Sequence, residues 1–91
     1  MSDLVVKFSE AAKLVASNAK PIQETIFEAF SNHLNDVDMN DLPTRVLIIY
    51  EAVEDRLKSI VPPGDIGYDE ASILAKDILY MEELMQQNQR P

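Results

Sequence analysis

The chain has 91 residues, 46% of them hydrophobic, contains no cysteine and carries a formal net charge of −8 at pH 7. Its length supports one hydrophobic core and one domain, and the lack of cysteine excludes disulfides, thiolate nucleophiles and sulfur-ligated zinc. The negative charge disfavours direct binding to nucleic acid, because the phosphate backbone repels carboxylates.

The first predicted helix covers 3–17, because apolar residues recur there at intervals of three and four, as they do through almost the whole chain. Ser2 is its predicted N-cap. Its apolar stripe consists of Leu4, Phe8, Ala11, Ala12 and Val15. A second helix is predicted to begin near Pro21, whose missing N–H suits a first turn, and to end near Leu34. The residues predicted to be buried in it are Ile22, Ile26, Ala29 and Phe30.

The third helix follows a polar, acidic loop over 35–41 and has the clearest periodicity in the chain. Asn40 or Asp41 is expected to cap it, with Pro43 in its first turn. Its apolar stripe consists of Leu42, Val46, Ile49, Val53, Leu57 and Ile60. The helix is predicted to stop before Pro62-Pro63-Gly64, with Gly64 supplying a positive φ to a type II turn.

The fourth helix is predicted over 69–87, followed by a flexible tail over 88–91. The chain is therefore predicted to be an all-α protein, a compact four-helix bundle or a closely related small helical domain over 1–87.

The fourth helix is apolar on more than one side, which is unusual for a helix that closes a bundle. One side consists of Ala71, Leu74, Ala75, Ile78, Met81 and Met85. Ile73, Tyr80 and Leu84 lie nearly opposite on a helical projection. This second stripe is either covered by ordinary packing or forms an interface, and the sequence leaves both interpretations open.

No segment shows a recognisable catalytic or metal-binding pattern. The loop Asp36-Val37-Asp38-Met39-Asn40-Asp41 begins like an EF-hand, but Asp41 and Leu47 occupy the positions that require glycine and glutamate. His33 is the only histidine, and its place near a helix end favours packing over catalysis. We therefore predict no enzyme activity, no cofactor, and no catalytic, metal or cofactor-binding residue.

Acid is concentrated after residue 20, because residues 21–89 carry fourteen carboxylates against four basic side chains, whereas residues 1–20 carry two against three. Such a surface influences partner choice. The chain also lacks a secretory signal pattern and any apolar run of about 20 residues that could span a membrane. We therefore predict a soluble, cytoplasmic protein with no membrane insertion.

The predicted function is protein binding without catalysis, in which the acidic surface masks a basic patch of a partner protein. The predicted partner-binding residues are Ile73, Tyr80, Leu84, Glu51, Glu54 and Asp55. In size, helix order and the segment Asp41-Leu42-Pro43, the chain loosely resembles four-helix bacteriocin immunity proteins, although it is far more acidic than their basic members and carries no diagnostic motif. That resemblance implies an inhibitor, immunity or adaptor protein of the phage or plasmid accessory type. The alternative is a structural subunit that homo-oligomerises through helix four.

Overall fold

The computed structural model describes residues 3–17, 20–62 and 65–89, and within these ranges the secondary structure is helical. The four main helices are α1 (Asp3–Ala16), α2 (Ile22–Ala29), α3 (Thr44–Ser59) and α4 (Tyr68–Gln89). A π-helical turn, Phe30–Leu34, continues α2, and a short 3-10 turn, Met39–Asp41, precedes α3. The predicted all-α helical bundle is confirmed.

Helix α4 is the centre of the bundle, because it packs against α1, α2 and α3. Its apolar residues therefore enter a core to which the other helices also contribute. The largest fully buried side chains are Tyr50, Phe8, Ile26, Leu34, Ile78, Met81, Val46, Val53 and Thr25. Thr25 keeps its hydroxyl satisfied by donating to the carbonyl of Ile22 at 3.2 Å. A helix with three neighbours needs more than one apolar side, which explains most of the excess apolar character of α4.

The predicted stripes of α1 and α3 are largely confirmed, whereas several helix ends differ from prediction. Pro43 precedes the first residue of α3, and no side chain caps that helix, so the expected capping by Asn40 or Asp41 is wrong. The Asp38 carboxylate instead accepts the backbone N–H of Asn40 at 2.9 Å and caps the 3-10 turn. The Asp38 carboxylate binds a backbone N–H two residues away rather than one in α3, because a nearby donor requires less ordering of the chain than a distant one.

Helix α4 begins at Tyr68 and continues to Gln89, two residues past the predicted end. Helix α3 ends at Ser59, before the proline pair as predicted, and the Val61–Pro62 peptide bond is cis. The predicted N-cap Ser2, the predicted turn residue Gly64 and tail residues 90–91 lie outside the described residues.

Tyr50 joins α3 to the π-helical turn. Its hydroxyl donates to the carbonyl of Leu34 at 2.6 Å, and its ring lies 5.5 Å from that of Phe30, centroid to centroid. The Leu34 carbonyl also accepts the backbone N–H of Val37 at 3.3 Å, so the tyrosine hydroxyl occupies its second acceptor position. Burial, with a smaller contribution from the negative charges of Glu54 and Asp36, raises the pKa of Tyr50 to about 12.

The Tyr50 hydroxyl should make the fold sensitive to strong alkali. Because the folded-state pKa lies above the ordinary tyrosine value, the buried, protonated hydroxyl stabilises the fold fully below about pH 10. This stabilisation is lost as the pH rises toward 12. We expect the free energy of unfolding to fall by roughly 2 to 3 kcal/mol across that window. Urea denaturation at increasing pH measures this fall. In Tyr50→Phe the alkaline fall should be smaller, and an unchanged fall would contradict the assignment.

Candidate protein-binding face

Two polar contacts fix how α3 and α4 lie against each other. Near the start of α3, Arg45 donates from Nη2 to the hydroxyl of Tyr80 at 3.1 Å. Near its end, the Arg56 guanidinium forms a two-pronged ion pair with Glu70, with 2.6 Å between Nη2 and Oε1. The earlier arginine of α3 contacts the later residue of α4, and the later arginine contacts the earlier residue, so the two helices are antiparallel.

Between these two contacts, the facing sides of the helices are mainly apolar. Ile49 and Ala52 lie on the side of α3 that carries Arg45 and Arg56, because they follow Arg45 by four and seven residues. The same spacing argument places Ile73 and Asp77 between Glu70 and Tyr80 on α4. The antiparallel register sets these two pairs opposite each other.

A group of exposed apolar side chains follows this contact line. Ile48 is 65% exposed, Ile73 59% and Tyr80 44%, and the short side chain of Ala52 is also exposed. We call this surface the α3/α4 face and define it by Ile48, Ala52, Ile73, Asp77 and Tyr80. Isolated exposed apolar residues are common on protein surfaces, whereas several on adjoining faces of two helices are typical of contact sites.

Asp77 is the charged residue in the middle of the α3/α4 face. It is half-buried, and within the described ranges no cationic side chain lies within ion-pairing distance of its carboxylate. Burial raises the pKa of this carboxyl above its usual range. The protein therefore keeps an ionised group partly removed from water without a compensating partner, which is unfavourable for folding.

Carboxylates border the face on its α3 side. Glu51, Glu54 and Asp55, together with Met39 and Ala52, line a shallow depression of about 390 Å³. Glu51 and Asp55 are exposed, whereas Glu54 is half-buried and lies 3.6 Å from the ammonium group of Lys58. The depression is thus lined mainly by carboxylates, two of which face solvent, together with the apolar side chains of Met39 and Ala52.

The structure separates the six residues that the sequence predicted as a partner-binding set. Ile73 and Tyr80 lie on the α3/α4 face, and Glu51, Glu54 and Asp55 lie beside it. The placement of Leu84 on an exposed stripe is wrong, because Leu84 is only 6% exposed and belongs to the hydrophobic core. Leu84 lines a small cavity with Pro43 and Val46, so the beginning of α3 covers this end of the stripe.

Sequence reasoning missed Ile48 and Asp77. Ile48 lies off the apolar stripe of α3, and an apolar residue outside such a stripe is the available signal for exposure. Asp77 follows Ile73 by four residues and precedes Tyr80 by three, so its place on the same face could be inferred from spacing. Its partial burial could not, because burial is set by tertiary packing.

Other kinds of site find little support in the described part of the chain. Over 3–17, 20–62 and 65–89, no three His, Cys, Asp or Glu side chains converge as metal ligands would. None of the helices described has both the length and the apolar character needed to cross a membrane.

Comparisons with protein-family models, curated proteins and solved structures gave no match to this chain.

Proposed function

We propose that this protein is a small, acidic, non-enzymatic binding module that acts by covering a basic surface of a partner protein. The observation that carries the proposal is the α3/α4 face itself, where Ile48, Ile73 and Tyr80 are exposed and Ala52 adjoins the depression lined by Glu51 and Asp55. Apolar side chains supply the area that a partner buries, and surrounding charges favour complementary partners and speed their association. Binding of this kind is one way in which an inhibitor, immunity or adaptor protein can act, and the proposal covers these roles.

Homo-oligomerisation through helix four is the second candidate function. Its sequence basis was the stripe Ile73, Tyr80 and Leu84, and the burial of Leu84 removes one of these three residues from the surface. Two exposed apolar residues remain on that stripe. They support a contact with another protein as well as they support a contact with a second copy.

Capture from an extract of the source organism tests the proposal. Immobilised wild-type protein should retain a protein with a basic surface and release it at high salt, because screening weakens exposed charge contacts. The double variant Ile48→Glu and Ile73→Glu should retain at least tenfold less of it, since both changes place charge in the apolar part of the face. Glu24→Gln, on the exposed side of α2, serves as the control and should capture normally.

Light scattering after size-exclusion chromatography completes the test. A wild-type monomer that captures a basic protein through the α3/α4 face agrees with the proposal. A stable wild-type dimer that the double variant converts to a monomer would contradict it and favour the assembly role.

A further inference from the structure

We infer that the α3/α4 face binds an amphipathic cationic helix of a partner protein, with a Lys or Arg of that helix pairing with Asp77. This inference rests on the proposed function and deepens it by stating the chemistry of the partner segment. Three features support it: the shape of the face, its charges, and the half-buried position of Asp77, whose carboxylate has no described ion-pair partner.

The shape of the face fits a helix. The line between the Arg45–Tyr80 and Arg56–Glu70 contacts covers eleven residues of α3, or roughly 16 Å at 1.5 Å per residue, which corresponds to about three helical turns. Ile48 on α3 and Ile73 on α4 are large exposed apolar side chains, and the short side chain of Ala52, also exposed, follows Ile48 by four residues. An exposed apolar strip shared by two adjacent helices can pack against the apolar stripe of a third helix, as in helix-in-groove recognition.

The charges of the face select a cationic occupant. Asp77 lies within the face, and four more carboxylates lie beside it: Glu51 and Asp55 on α3, Asp69 four residues before Ile73, and Glu83 three residues after Tyr80. Lys76 flanks the face on α4, and Arg45 contacts a neutral hydroxyl at one end. Five carboxylates against these two cations leave the face negative, while the Arg56–Glu70 and Lys58–Glu54 pairs are neutral.

Asp77 is the residue with which the Lys or Arg of the partner helix pairs. Its carboxylate is half-buried between Ile73 and Tyr80 along α4 and has no described ion-pair partner. A guanidinium or ammonium group arriving from a partner would compensate this partly desolvated charge, which is worth more at a sheltered site than on an open surface. Asp77 is already half-buried in the structure of the protein alone, so a partner does not have to create this environment.

A second copy of this chain fits the face poorly. A two-fold contact sets a surface against itself, so it would bring the carboxylates of both copies into one interface. With a net charge of −8 on each chain, long-range repulsion also opposes the encounter. A cationic segment adds no carboxylates to the interface and is attracted, not repelled, by the negative chain.

The test uses a synthetic amphipathic helix of about four turns made of Leu and Lys, with two control peptides. One control replaces Lys by Glu, and the other scrambles the Leu/Lys order so that no apolar stripe remains. Titration into isotope-labelled protein should shift the NMR signals of Ile48, Ala52, Ile73 and Tyr80 most strongly. Neither control peptide should produce this pattern.

Two matched variants separate a specific contact from general charge attraction. Asp77→Asn should weaken binding of the Leu/Lys peptide by roughly fivefold to tenfold, whereas Glu24→Gln, with the same change of charge, should change it less than twofold. The free Asp77→Asn protein should also melt about 2 to 4 °C higher, because the amide removes an uncompensated charge. Replacing a residue that serves binding rather than stability should both raise the melting temperature and weaken binding.

Several results would overturn the inference. Shifts spread over all helices, equal weakening in both variants, or a lower melting temperature for Asp77→Asn would each do so, the last because it would show that the carboxylate supports the fold. If the extract experiment captures a basic protein through the α3/α4 face while the Leu/Lys peptide does not bind, this inference fails and the proposed function stands.

Discussion

Leu84→Lys should destabilise the fold by about 3 to 4 kcal/mol, a large part of the roughly 5 to 10 kcal/mol available to a domain of this size. Leu84 lies in the hydrophobic core, where α3 covers the C-terminal half of α4. Lysine at this position loses the apolar contacts, and its ammonium group must move past Arg45, a like charge that lines the same small cavity. Urea denaturation followed by circular dichroism measures the loss.

Ile73→Lys is the matched control for Leu84→Lys. Ile73 lies on the same predicted stripe of α4 but is 59% exposed, so its replacement should change the free energy of unfolding by no more than about 0.5 kcal/mol. Its effect should appear in partner binding. Equal destabilisation by the two substitutions would show that the stripe is uniformly buried, and equal tolerance would show that α3 does not cover Leu84.

Ile78→Ala should cost about 3 to 4 kcal/mol, because Ile78 is completely buried in the helix that contacts all three others. Removing its side chain leaves a cavity that three packed helices cannot easily close. Thermal denaturation should show a lower melting temperature, with the transition still cooperative.

The adjacent residue provides the control for this substitution. Leu79 is 39% exposed and points to another side of α4, so Leu79→Ala should cost less than about 1 kcal/mol. A comparable loss from the two substitutions would contradict the central position assigned to α4.

Much of the fold could be predicted from the amino-acid sequence because helix periodicity is a local property. The stripe that contains Val46, Val53 and Leu57 is buried as predicted, since residues three and four apart share a helix face whatever the neighbouring helix is. The break before Pro62 was also predictable, because proline lacks the N–H that continues a helix. The cap of α3 was harder to predict, since the Asp38 carboxylate could accept a backbone N–H either from the nearby 3-10 turn or from α3.

The candidate site could be predicted only in part. Spacing alone places Ile73, Tyr80 and Leu84 on one side of α4, and it assigns them equal exposure. The antiparallel packing of α3 distinguishes them, because the beginning of α3 covers Leu84 while Ile73 stays in solvent. Asp77 is half-buried on the same helix, and its degree of burial is likewise set by tertiary packing rather than by spacing.

The sequence by itself determined the helical class, the apolar sides of the helices and the excess of acid after residue 20, because these depend on residue type and short-range spacing. The tertiary structure decided which apolar residues remain exposed, which carboxylates form ion pairs and which are partly buried without one. Exposure and ion pairing depend on side chains far apart in the chain, such as Arg45 with Tyr80 and Arg56 with Glu70. These contacts exist only once α3 and α4 have packed together.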